Sequence, residues 1–209
     1  MRTALTDRVQ RNREARARFN AWRVERGYKP VPDFAGPYTD HLQPMVLLAL
    51  HTGLRRGELL ALCWRDVDLP ETMLTVRGSD AKTGKTRYVP LNSEAANVLR
   101  AWRPEEADQG ALVFPGHDGR RMKTITTAWR AVAKEAKLTG FNFHDLRHSF
   151  ASRLVQRGVD LNTVRELLGH ADIKMTLRYA HLAPENKAAA VALLTEPAGV
   201  DKRHARVRQ

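Results

Sequence analysis

Strand-like alternation is concentrated in two short runs of this chain, MLTVRG (73–78) and TRYVPL (86–91), set on either side of the loop SDAKTGK. Apolar and β-branched residues alternating with polar ones, closed by a Gly-containing loop, predict an antiparallel hairpin. A further short strand or extended piece is expected at LVFPG, 112–116. Most of the remainder carries helical periodicity. The expected fold is therefore α+β and mainly α-helical, with one small antiparallel sheet.

The helices are delimited by their ends. Residues 4–26 predict an exposed basic helix with Ala15, Phe19 and Trp22 as a thin apolar stripe. GYKPVPDFAGP (27–37) is a Pro/Gly-rich connector. DHLQPMVLLALHTG predicts a buried helix closed by Gly53, and another helix runs from Arg55 to about Cys63. SEAANVLRAWR is expected to be a helix capped by Ser93. Residues 124–137 form a further helix. HDLRHSFASRLVQRG places Leu146, Phe150, Leu154 and Val155 on a core face and ends at Gly158. Asp160 caps the next helix, which stops at Gly169, and PENKAAAVALL (184–194) is expected to close the chain as a helix. The expected divisions are 1–36 as basic helix and connector, 37–196 as the main folded domain, and 197–209 as a basic tail.

Composition narrows the function classes. Hydrophobic residues make up 43% of the 209 positions, enough for a packed core. A lone Cys63 rules out a disulfide framework and suits a reducing cytoplasm. The apolar run Met45–Leu50 is too short to cross a bilayer, and the Arg-rich start has no export signal. The net charge of +12 points to an anionic partner such as nucleic acid. Residues 1–30 carry half of it and residues 201–209 another +3, so the middle of the chain is only weakly basic.

Several short constellations carry chemistry. In HDLRH, His144 and Arg147 lie three apart in the first turn of a helix, where backbone N–H groups and the dipole favour an anion. His144 and His148 also have the i, i+4 spacing of a zinc motif, but Asp145 stands where the general-base Glu belongs, and a third ligand is needed. In HTGLRRGELLAL, Gly53 permits a sharp turn and Glu58 is placed to hold the Arg55 guanidinium. Lys82 and Lys85 stand at the hairpin tip, able to reach a partner. Tyr179, in LLGHADIKMTLRYAHL, is either a core ring with a polar edge or a nucleophile.

Read in order, these pieces resemble the tyrosine recombinases, the phage-integrase family. TGLRRGEL looks like the box with the first catalytic arginine, AKTGKTRYVPL like the lysine hairpin, HDLRHSFAS like the H-x-x-R box, and LLGHADIKMTLRYAHL like the terminal box, whose histidine precedes the tyrosine by nine residues. The resemblance covers about residues 40–185. It implies Arg55, Lys82, His144, Arg147, His170 and Tyr179 as catalytic residues and Glu58 as support. Tyr179 would attack a DNA phosphodiester and form a 3′-phosphotyrosine. Arg55 and Arg147 would neutralise the phosphate, Lys82 would protonate the leaving 5′-oxygen, and His144 would hydrogen-bond the phosphate and help deprotonate the tyrosine. His170 would donate a further hydrogen bond. Neither metal, cofactor nor ATP is implied.

The implied partners are double-stranded DNA, further copies in a tetramer on DNA, and an accessory DNA-bending protein, in the cytoplasm of a bacterium or phage host and without a membrane. Family members usually carry a helical DNA-binding domain ahead of the catalytic one, and only some 35 residues precede the matched region here. Three alternatives stay open at this point: a type IB topoisomerase using the same residues, a DNA-binding relative without activity, and a zinc hydrolase built on His144 and His148.

Overall fold

The computed structural model describes residues 1–81, 84–184, 191–192 and 194. Eight α-helices are described: α1 Arg2–Glu25, α2 Leu42–Thr52, α3 Arg56–Ala61, α4 Ser93–Trp102, α5 Thr126–Glu135, α6 Asp145–Gln156, α7 Leu161–Leu168 and α8 Lys174–Leu177. Three strands form one antiparallel sheet in sequence order, β1 Val67–Asp68, β2 Met73–Val76 and β3 Arg87–Pro90. The α+β, mainly helical class expected from the periodicity is the one observed.

α2 is apolar on nearly every side and accordingly sits in the middle, against α4 and α6. Leu42, Met45, Val46 and Leu48 are fully buried. The helix ends where Gly53 turns left-handed at φ 65°, its N–H closing onto the Ala49 carbonyl. In the sheet, Leu74 pairs with Val89 and both are buried, while Tyr88 on the opposite face is 66% exposed. That alternation is what a half-covered antiparallel sheet requires. Trp64–Asp66 forms a 3-10 turn that leads into β1, a two-residue strand that the sequence did not signal.

The structure corrects one local expectation, the cap of α4, and sharpens two others. Helix α1 is exposed as expected, and its stripe of Ala15, Phe19 and Trp22 is exposed with it rather than docked. The helix is tied down by its polar side instead. Arg8 pairs with Asp40 at 2.7 Å, Asn12 donates to Thr39, and Asn20 exchanges two hydrogen bonds with Val31. Only Ala4 and Leu5 enter the core. The cap of α4 is Asn92, whose side chain accepts from the Ala95 N–H; Ser93 is already inside the helix. The 112–116 segment is extended but forms only isolated bridges, Cys63 with Leu112 and Pro115 with Arg121. Lys82 and most of the expected closing helix at 184–194 lie outside the described residues, as does the basic tail.

Apolar packing divides into two clusters. The larger runs from Ala4 and Leu5 through α2, the sheet, α4 and α5 to Leu146 at the start of α6. The smaller gathers Phe150, Ala151, Val155, Val164, Leu168 and Tyr179. Helix α6 contributes to both, so the residues of its first two turns lie at their junction.

Candidate active site

Two glycine-capped helix ends build the site. Gly53 closes α2 and Gly169 closes α7, both with positive φ. Neither tolerates a side chain: a Cβ on Gly53 would lie 2.4 Å from the Phe150 ring, and one on Gly169 would lie 2.8 Å from Arg87 Cδ. The close approach brings helix-end carbonyls within reach of arginines. Arg147 Nη1 donates to the Gly53 carbonyl at 2.7 Å, and Nη2 donates to the Leu168 carbonyl at 2.5 Å. Arg55 Nη2 reaches the Gly169 carbonyl at 3.4 Å.

Arg147 is 3% exposed. Burial, reinforced by the neighbouring Arg55 charge, pushes its guanidinium down to about 9. The hydrogen bonds that Arg147 donates to Gly53 and Leu168 both go to neutral carbonyls, so its charge is poorly matched inside the protein. A buried cation in this position gains much from an anion brought to it.

Arg55 is held from below. It is the residue preceding α3, and its Nη1 donates to Glu58 Oε1 at 2.9 Å while its backbone N–H donates to Oε2. The spacing of three predicted this support. The sequence did not reveal Arg87, which donates twice to the same carboxylate, at 2.9 and 2.7 Å, and once to the Leu167 carbonyl. Burial alone would raise the Glu58 carboxyl, but hydrogen bonds and charge from Arg87 and Arg55 outweigh it and hold the group below the usual range. A signal existed: Arg87 lies two residues from the buried Val89 on a strand, so it shares the core-facing side. A charge placed there needs a buried partner.

His144 immediately precedes α6 and lines an open groove of about 800 Å³ together with Arg55, Arg56, Arg130, Lys134 and Lys137. One turn on, His148 packs edge-to-face against it, with ring centroids 5.2 Å apart. Both imidazoles are lowered. Burial leads in each, followed by His148 and Arg147 for His144, and by Arg178 for His148.

His148 Nδ1 and Tyr179 Oη are hydrogen-bonded at 2.5 Å. The tyrosine is 5% exposed and burial pushes its phenol up, although Arg178 and Arg147 pull the other way. His170 is buried and hydrogen-bonded through Nδ1 to Thr176 Oγ1 at 2.9 Å. Burial and the surrounding arginines, Arg147 first, push this imidazole down to about 4. Thr176 is fully buried and had no sequence signal.

Of the residues singled out from the sequence, the structure brings Arg55, Glu58, His144, Arg147, His170 and Tyr179 into one neighbourhood. Lys82 lies outside the described residues. Lys85, the other lysine singled out there, is exposed. Among the described residues no group of three His, Cys, Asp or Glu is arranged to hold a metal ion.

A family model described as the phage integrase family matches residues 33–186. The tyrosine recombinase XerC of Xanthomonas campestris pv. campestris (strain B100) is 43% identical over 136 residues, covering 63% of this chain and 41% of that protein. The integrase of Salmonella phage P22 is 35% identical over 158 residues, covering 69% and 40%. Among solved structures, the catalytic domain of bacteriophage HP1 integrase matches with a TM-score of 0.59 and 29% identity over 79% of this chain and 88% of that one. The XerH site-specific recombinase bound to difH substrate matches with a TM-score of 0.58 and 25% identity, over 74% and 47%. The chain spans about 40% of the length of the two curated relatives. These matches favour neither the topoisomerase nor the zinc-hydrolase alternative. The family model spans the stretch that carries all four boxes, and the chain belongs to the phage integrase family.

Proposed function

We propose that this chain is the catalytic part of a site-specific DNA recombinase that cuts and rejoins strands through a 3′-phosphotyrosine link. The observation that carries the reading is Arg147: a buried guanidinium bonded to two carbonyls, beside Arg55 and next to the Tyr179–His148 pair. This is a place built for one anionic group within reach of a phenol.

A scissile phosphate seated on Arg55 and Arg147 supplies the missing countercharge. Charge grows on its non-bridging oxygens as the five-coordinate state forms, and two fixed guanidinium forks stabilise that growth without rearranging. Glu58 and Arg87 keep the Arg55 fork in place. His144, at the mouth of the groove, hydrogen-bonds the phosphate. His170, kept neutral and held through Nδ1 by Thr176, donates from Nε2. Lys82 protonates the departing 5′-oxygen. The energy of the broken ester is retained in the phosphotyrosine, so a 5′-hydroxyl from another strand reverses the step without ATP. The groove residues Arg130, Lys134 and Lys137 supply phosphate contacts along the duplex. Binding by this part alone is expected to be weak, strongly salt-dependent and of low sequence preference. Assembly into a tetramer on DNA and the help of a DNA-bending protein complete the proposal, on the strength of the family resemblance.

The test uses a pool of nicked duplexes with randomised sequence around the nick, incubated with the protein in EDTA and resolved on a denaturing gel. A covalent protein–DNA band that disappears in Tyr179→Phe is expected. The Phe variant should stay folded, losing about 1 kcal/mol with the hydrogen bond to His148. An undiminished band from that variant, or activity that EDTA abolishes, contradicts the proposal.

A further inference from the structure

We infer that His148, rather than His144, is the base that takes the Tyr179 proton during strand cleavage. The inference rests on the recombinase reading and adds a catalytic residue to it. Its ground is a division of labour along α6. His144 and His148 lie four residues apart on one face, in edge-to-face contact. His144 lines the groove beside Arg55. His148 stands one turn further along, and its Nδ1 meets the phenol oxygen at 2.5 Å. The Tyr179 ring belongs to the apolar cluster of Phe150, Ala151, Val155, Val164 and Leu168, which fixes where its hydroxyl lies.

Chemistry requires an acceptor here. Burial disfavours the phenolate of Tyr179, so a proton has to leave as the oxygen attacks. The charged and titratable groups around His148 are His144, Asp145 and Arg147 on its own helix and Arg178 and Tyr179 on the opposing segment. With burial, the cationic neighbours keep the imidazole neutral and its Nδ1 lone pair available.

The step balances. The Tyr179 Oη–H bond breaks and the proton passes to His148 Nδ1. The Oη–P bond forms as the P–O5′ bond breaks, and the leaving oxygen takes its proton from Lys82. On rejoining, the 5′-hydroxyl passes its proton to the neutral Lys82 amine as it attacks phosphorus, the Oη–P bond breaks, and the His148 imidazolium returns its proton to Tyr179.

The experiment measures single-turnover adduct formation on the same nicked pool for the unmodified protein, His148→Ala and His148→Asn, with DNA affinity and thermal melting in parallel. Asparagine can accept the phenol hydrogen bond but cannot carry a proton near neutral pH. Both variants are expected to bind DNA and to melt near the unmodified protein, yet to form adduct about 10²–10⁴-fold more slowly at neutral pH. Their rates should climb steadily with pH, whereas the unmodified protein levels off once His148 is neutral. Added imidazole should restore part of the His148→Ala rate. A His148→Asn variant with the unmodified rate and pH profile overturns the assignment and leaves His148 as a positioning residue. A fast His148→Ala variant overturns even that. Absence of adduct from the folded, unmodified protein is a different outcome, because it removes the recombinase reading itself and this inference with it.

Discussion

Arg87 and Glu58 form a two-pronged ion pair, at 2.9 and 2.7 Å, with side chains only 9% and 2% exposed. The pair joins β3, the second strand of the hairpin, to α3, the helix that Arg55 precedes. Through its bond to the Leu167 carbonyl, Arg87 also fastens the end of α7. Removing one partner of a buried pair strands the other charge, which typically costs 3–5 kcal/mol. Glu58 keeps Arg55, so Arg87→Ala should cost about 3 kcal/mol, at the low end of that range. Urea unfolding measures it. A loss under about 1 kcal/mol, the range of an exposed pair, would show that the pair contributes little.

Gly53 has two duties, the left-handed turn and the carbonyl that Arg147 holds. In Gly53→Ala the new methyl meets the Phe150 ring at 2.4 Å on a backbone with φ 65°. Strain and overpacking together should cost about 3 kcal/mol. Adduct formation should fall further than stability alone explains, because Arg147 moves with the turn. Melting temperature and single-turnover rate, measured on the same preparation at a temperature where the variant is folded, separate the two effects.

His170 gives stability a defined pH dependence. Its folded value is about 4, and an unfolded histidine titrates near 6.5. Between those values the unfolded chain binds more protons, so stability rises with pH through the window and is fully present above it. His41, His51, His144 and His148 are lowered too and add to the same slope. Denaturant midpoints should fall as the medium is acidified from pH 6.5 towards pH 4, and less steeply in His170→Asn. An unchanged slope in that variant would mean that His170 is not held neutral by the fold.

Thr176 fixes the orientation of His170 by a 2.9 Å hydrogen bond. Thr176→Val preserves shape and removes the hydroxyl. It should leave DNA binding intact and slow adduct formation about 10-fold, within the range seen when a partner behind a functional histidine is lost. The measurement is kcat-type single-turnover rate against DNA affinity, and a change in affinity alone would assign Thr176 to packing.

Lys82 is tested by chemistry. As general acid it matters only when the leaving group needs a proton. Lys82→Ala should therefore be slow on ordinary DNA and largely restored on a 5′-phosphorothiolate, whose sulfur departs unprotonated. Equal defects on both substrates would assign Lys82 to binding and turn attention to Lys85.

Local order in the chain was sufficient for much of this. Gly53 and Gly169 announce helix ends because left-handed backbone is cheap only for glycine. Asp160 announces a helix start, and its side chain accepts from Thr163 as its position implies. The spacing of three between Arg55 and Glu58 foretold their contact, because a turn of helix imposes it. The four boxes led to the family for the same reason: each is a short stretch whose meaning depends on neighbours in sequence.

Tertiary packing alone decided the rest. Arg87 meets Glu58 across 29 residues and Leu167 across 80, and no local pattern encodes such distances. The thin apolar stripe of α1 could not tell which side docks, because hydrophobicity shows what can be buried; the polar contacts with Asp40, Thr39 and Val31 determined it. Equal i, i+4 spacing made His144 and His148 equivalent as a pair of ring nitrogens. Only the fold, by carrying Tyr179 back over the second turn of α6, placed one imidazole on the phenol and left the other beside Arg55 along the groove. A sequence lists the groups able to move a proton; the distance between them exists only after the chain has closed on itself.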